Sequence, residues 1–205
     1  MNQTTYQLPD LPYAYGDLEP ILTAEMMEIH HDKHHRAYVT KLNETLEKYH
    51  EAEVKKDAET MVKLQSAIKF NGGGHISHSI YWEILAPQNK GGGEVDKNSS
   101  IYKAIEKDFG SFENLQEEFN SKSAVVQGSG WGWLGYNRKS KHLIVHTCSN
   151  HNLLSAIEII PIFCVDVWEH AYYLKYKNNR LSFIKGFWGI LNWKEIENKY
   201  KKATT

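Results

Sequence analysis

Residues 42–68 read LNETLEKYHEAEVKKDAETMVKLQSAI, two runs of mixed charged and apolar residues joined through the polar patch Glu51–Asp57. Upstream of the patch Tyr38, Leu42, Thr45 and Tyr49 recur at helical spacing, and downstream Met61, Leu64 and Ile68 follow at i, i+3 and i+7. Two helices with a short polar connection form an antiparallel hairpin. No glycine falls between Glu19 and Tyr49, and Pro20 sits where a helix start tolerates it, so the first helix is expected to run from there. The second helix, from near Ala58, meets Gly72, Gly73 and Gly74. One helical glycine costs about 1 kcal/mol against alanine. Three together are expected to interrupt the helix and to need a reason, such as close packing or a site beside the backbone. The helix is expected to resume through Ile80–Leu85 and to stop before Pro87.

The polar stretch Gln88–Ser100, with its second glycine run Gly91–Gly93, is the best boundary, dividing the chain into 1–90 and 91–205. Beyond it, Ile101–Phe109 and Phe112–Val126 read as amphipathic helices, with Ser111 as N-cap of the second. Trp131, Trp133 and Tyr136, then Leu143, Ile144 and Val145, read as strands joined by the turn Asn137–Lys141, and Ile157–Val167 as a third. Short helices follow from Trp168 to Tyr200. The strands do not alternate with helices as βαβ units do. The class is therefore α+β: a long helical hairpin, then a mixed domain with a three-stranded antiparallel sheet flanked by helices.

The chain has 205 residues, 41% hydrophobic and 24% charged, enough to bury a core. Twenty-four basic against twenty-five acidic side chains exclude a basic nucleic-acid-binding protein. The longest apolar stretch, Ile159–Val167, contains Pro161 and Asp166 and cannot span a bilayer. The first residues show neither a secretory signal nor a mitochondrial presequence, so the cytoplasm is expected, with the mitochondrial matrix as the alternative if a presequence was removed. Two cysteines, Cys148 and Cys164, make no disulfide scaffold and point to a reducing compartment.

Eleven histidines are the anomaly. They gather in His30-His31-Asp32-Lys33-His34-His35, in His75-Ile76-Ser77-His78 and in Asp166-Val167-Trp168-Glu169-His170. Imidazoles with a carboxylate and no thiolate suit Mn, Fe or Zn. His50 and His142 read instead as solvated surface groups, and His146 as structural. A zinc peptidase would need glutamate where His31 stands. The two Glu-x-x-His pairs, Glu28/His31 and Glu47/His50, lie on one expected helix about 28 Å apart and cannot share a di-iron site.

The segments LPDLPYAYGDLEP (8–20), HHDKHHRAYV (30–39), FNGGGHISHSIYW (70–82), QGSGWGWLGYN (127–137) and DVWEHAYYLKY (166–176) resemble, in order and without large insertion, the iron/manganese superoxide dismutases. The resemblance runs from Leu8 to about Tyr200. It implies an antioxidant enzyme that disproportionates superoxide to dioxygen and hydrogen peroxide on one redox-active metal. That metal would be held by His30, His78, Asp166, His170 and a solvent molecule, with His34 a non-ligating neighbour despite its spacing.

Further implications follow from the same resemblance. Tyr38 and His34 match gateway residues on the substrate and proton route, and Trp131 and Trp168 match aromatic walls. Lys33 and Arg180 match positive residues at the mouth of the substrate funnel. Glu169 and Tyr173 match residues that cross a homodimer interface, to the partner's ligand histidine and gateway histidine; the long hairpin favours a homotetramer. Gly74, the GGGH run and GWGWL favour manganese. Two departures stand out: His151 where manganese-type members place glutamine beside the bound solvent, and Ser77 where asparagine is usual. His151 is expected to tune the site, and iron, or either metal, is the alternative to manganese. A non-catalytic metal-binding protein on the same fold is the other alternative.

Overall fold

A computed structural model describes residues 5–205. A short helix α1 (Ala24–Glu28) passes through a π-helical segment, Ile29–His35, into α2 (Arg36–Val54), and α3 (Ala58–Glu83) returns alongside. The first helix therefore starts later than Pro20. Thr23 supplies the cap, its hydroxyl accepting the N–H of Met26, so the chain enters the helix from an extended residue 23. Asp57 caps α3 in the same way, through the N–H of Thr60. The π turn inserts one extra residue per turn where the histidines are densest, a placement typical of sites. His30, His31 and His35 are all buried there.

The glycine run does not interrupt α3, which is continuous through it. A Cβ on Gly73 would lie 2.1 Å from the carbonyl oxygen of His151, and one on Gly74 2.8 Å from Cγ of Tyr38. The glycines are where the His151 loop and the Tyr38 ring close onto the helix backbone, the close packing their cost demanded. Met61, Leu64 and Ile68 are only half-buried, because the outer hairpin packs on one neighbour.

The second half carries α4 (Ser100–Phe109) and α5 (Phe112–Ala124), capped by Ser99 and Ser111. The strands β1 (Gly130–Asn137), β2 (His142–Ser149) and β3 (Ile159–Asp166) form an antiparallel sheet in the order β2-β1-β3. The third strand starts two residues later than the apolar pattern predicts, since Leu154–Ile157 coils into a 3-10 turn and Glu158 adopts positive φ. In the ladder Trp131 pairs with Asp166, which puts the indole beside the strand end. Helices α6 (Glu169–Tyr176), α7 (Arg180–Phe187) and α8 (Trp193–Thr204) complete the chain. Phe119, Phe163, Phe183 and Phe187 are almost wholly buried in the core between sheet and helices. Among the described residues no helix is long and apolar enough to cross a membrane.

Candidate metal centre

Four elements converge. His30 comes from the π turn, His78 from α3, Asp166 from the last residue of β3 and His170 from the first turn of α6. Their ligand-type atoms all lie within 4.8 Å of one another. Oδ2 of Asp166 is 3.1 Å from His30 Nε2, 3.2 Å from His170 Nε2 and 3.6 Å from His78 Nε2. His78 Nε2 is 3.0 Å from His30 Nε2.

The surroundings orient each donor. His78 donates its Nδ1 proton to the carbonyl of Gly74 at 2.7 Å, so Nε2 of the neutral ring carries a lone pair. Asp166 accepts the backbone N–H of Trp168 at Oδ1, 2.9 Å, and turns Oδ2 inward. Burial pushes His30 and His78 below the usual imidazole range. Burial opposes ionisation of Asp166, but the charge and hydrogen bonds of His170 and His30 draw its carboxyl well below the usual carboxylate range. A lone pair and a carboxylate aimed into one fully buried point need a cation between them. Three imidazole nitrogens and one carboxylate oxygen fit Mn, Fe or Zn.

His34 is not one of the four and stacks on His170, centroids 4.1 Å apart at 16°. Desolvation, then the neighbouring imidazoles, push it down to about 4. Tyr38 lies edge-on to His151 at 4.6 Å, and burial and the charge of Asp166 raise its phenol pKa. His151 is buried; its Nδ1 accepts the indole N–H of Trp131 at 3.1 Å, and its ring stacks on Trp168 at 4.4 Å and 11°. Desolvation lowers it to about 4, so the neutral ring keeps its proton on Nε2. That atom is buried and has no partner among the described residues. The hydroxyl of Ser77 is likewise buried and unpartnered.

The remaining residues lie outside this cluster. Lys33 is exposed on the π segment beside His34. Glu169 and Tyr173 are half-exposed on α6. Arg180 presents no free guanidinium: its side chain is 13% exposed and bonds Glu169, Tyr172 and two backbone carbonyls.

A second imidazole chain escaped the sequence reading. His35, wholly buried, accepts the indole N–H of Trp82 at Nδ1 and contacts His75 Nδ1 through Nε2, both at 2.9 Å, and its ring stacks on His78. Its only sequence signal is position: His35 follows His30 by five residues and His75 precedes His78 by three. His31 bonds the Pro9 carbonyl at 2.8 Å and takes no place at the centre. His142 is exposed but bonds Asp108 at 2.7 Å, so it is a paired surface group rather than a merely solvated one.

Two family models match the chain. Residues 5–86 match the alpha-hairpin domain of the iron/manganese superoxide dismutases, and residues 97–199 match their C-terminal domain. The mitochondrial manganese superoxide dismutase 1 of Arabidopsis thaliana is 52% identical over 200 residues, covering 97% of this chain and 86% of that protein. The manganese superoxide dismutase of Chlamydia muridarum is 50% identical over 198 residues, 96% of each.

Proposed function

The chain belongs to the iron/manganese superoxide dismutase family, and on that premise we propose that it converts superoxide to dioxygen and hydrogen peroxide with one manganese ion per subunit. The convergence of His30, His78, Asp166 and His170 carries this reading. We assign these four as ligands, two from each of the domains we draw at 1–90 and 91–205, so that the metal joins the halves. Bound manganese supplies a one-electron cycle between 2+ and 3+, which zinc lacks, so that one superoxide is oxidised and the next reduced.

The protein's own groups bind, orient and protonate. His78 is held to the Gly74 carbonyl and Asp166 to the Trp168 N–H, which keeps their inner atoms free to ligate. Peroxide needs two protons. Tyr38 holds one on its phenol beside His78, and His34 stacks on the ligand His170, so we place both on the proton and substrate route. Trp131 and Trp168 wall the site against bulk water. Lys33, exposed beside His34, draws the anion inward.

His151 is the tuning residue. Trp131 fixes its tautomer and Trp168 its plane, so its Nε2 proton is held in place within the buried site. Its presence where glutamine is usual also favours a second reading, in which the chain works with iron as well.

Glu169 and Tyr173 support a homodimer. Metal-ligating histidines donate their second N–H to a fixed acceptor, yet no described residue of the chain bonds His170 Nδ1, while Glu169 beside it is half-exposed. We assign that acceptor to Glu169 of a second copy. Val54 and Val62, both strongly exposed on the hairpin, favour pairing of dimers into a tetramer. The unpaired Cys148 and Cys164 are in keeping with the cytoplasm or the mitochondrial matrix.

Purified protein, reconstituted separately with Mn, Fe and Zn, tests the reading. Superoxide consumption is expected with manganese, with lower or equal activity with iron and none with zinc. Stoichiometric manganese without turnover would make the chain a metal-binding protein instead.

A further inference from the structure

Arg180 opens α7 and reaches across to two separate parts of the chain, the 126–128 segment and α6. Its Nε donates to the Tyr172 hydroxyl at 3.0 Å and its Nη1 to the Val126 carbonyl at 2.5 Å. Its Nη2 donates to the Gly128 carbonyl at 3.1 Å and to Glu169 Oε1 at 3.2 Å. One N–H of Nε, one of Nη1 and both of Nη2 are thus engaged, four of the five that a guanidinium offers. An arginine so engaged has little left with which to bind an incoming anion. Its charge is matched by Glu169, and its planar fork holds a loop and a helix together.

The two parts it joins both lead to the metal centre. The 126–128 segment runs directly into β1, whose Trp131 holds His151. Glu169 immediately precedes the ligand His170. Around this junction Val125 is 75% exposed, Tyr173 51% and Leu181 41%. Glu169 is itself a half-exposed glutamate with several rotamers to lose, and only Oε1 is taken, which leaves Oε2 able to accept a second donor.

We propose that Arg180 is a positioning residue for Glu169: its fork, rather than its charge alone, holds that carboxylate in the one arrangement that can meet a second copy of the chain. This rests on the homodimer reading above. Lysine keeps the charge but cannot bond two carbonyls, a hydroxyl and a carboxylate at once. An attractor of superoxide would tolerate Arg180→Lys; a positioning fork would not.

The test uses manganese-loaded protein carrying Arg180→Lys, Glu169→Gln or both. Dimer dissociation is followed by sedimentation across protein concentration, and manganese release by transfer to a chelator. Arg180→Lys is expected to weaken the dimer and speed manganese release by about tenfold, the lower range of effects from groups behind a metal ligand. The double variant is expected to be no worse than Glu169→Gln alone, because the arginine acts through the glutamate. If Arg180→Lys does not fold, Tyr172→Phe removes one acceptor of the fork without touching Glu169. It is expected to loosen the dimer in the same direction by about threefold, within the range of one hydrogen bond. An Arg180→Lys protein with parental dimer and manganese release, or additive losses in the double variant, overturns the assignment. A monomeric parent protein overturns the homodimer reading as well, and is seen before any variant is made.

Discussion

The carbonyl oxygen of His151 occupies the place where a side chain on Gly73 would begin, 2.1 Å from the Cβ position. Backbone cannot yield to that contact as a flexible side chain could. Gly73→Ala is therefore expected to displace the His151 loop and to destabilise the protein by about 1–3 kcal/mol, the usual cost of overpacking. At Gly72 the nearest atom is a Leu42 methyl at 3.6 Å, an ordinary contact. Gly72→Ala should stabilise by up to about 1 kcal/mol through helix propensity. Urea denaturation of the two variants checks the contrast; equal effects of the same sign would show that the close approach does not matter.

Removing a ligand should remove the metal. Asp166→Ala and His170→Ala are each expected to lose manganese on dialysis against a chelator, measured by elemental analysis, because each deletes one of the four donors we assign to the metal. In the parent protein the same dialysis should lower the melting temperature, since a ligand that binds only the folded state stabilises it by mass action. Full metal and full activity in either variant would make the ligand assignment wrong.

His151 should alter turnover without altering loading. His151→Ala is expected to keep near-parental manganese while superoxide consumption falls about tenfold, the scale of effects from groups behind the ligands. His151→Gln is expected to sharpen the preference for manganese over iron, read from activity after reconstitution with each. Metal loss in the alanine variant would identify a ligand; unchanged activity with both metals would leave a bystander.

Acid sensitivity has a contribution far from the metal. Glu197 of α8 accepts the Ser100 hydroxyl and the Ser100 and Ile101 N–H groups at the start of α4. Partial burial raises its pKa, but these bonds and Lys201 outweigh it and hold it at about 2, against 4.5 when free. The folded value lies below the unfolded one, so the stability it adds is fully present above pH 4.5 and is lost as pH falls toward 2. Glu197→Gln should lower neutral-pH stability by about 1 kcal/mol and flatten the melting-temperature profile across that acid range. Parallel profiles for the two proteins would show no such linkage.

Much of this architecture is legible in the chain. The hairpin follows from apolar spacing on either side of Glu51–Asp57, and Ser111 acts as the cap its side chain predicts. The strand turn at Asn137–Lys141 and the strand-to-helix junction between Asp166 and His170 are local patterns too. Such features depend on residues a few positions apart, whose backbone preferences the sequence states directly.

Local pattern alone therefore settles most of the helices and strands, the N- and O-donor character of the site and, by resemblance, its chemistry. Which histidines meet does not follow from spacing; it follows from packing. His30 and His34 are one turn apart on the same segment, yet His30 joins the cluster while His34 stacks on His170. The glycine run reads locally as a break, and only the arrival of His151 and Tyr38 makes it a continuous, closely covered helix. Arg180 reads as a free cation until four acceptors, Val126, Gly128, Glu169 and Tyr172, surround it. The physical reason is common to all three. Local spacing sets the direction in which a side chain leaves its own element, but the partner it finds there belongs to another element, brought in by packing.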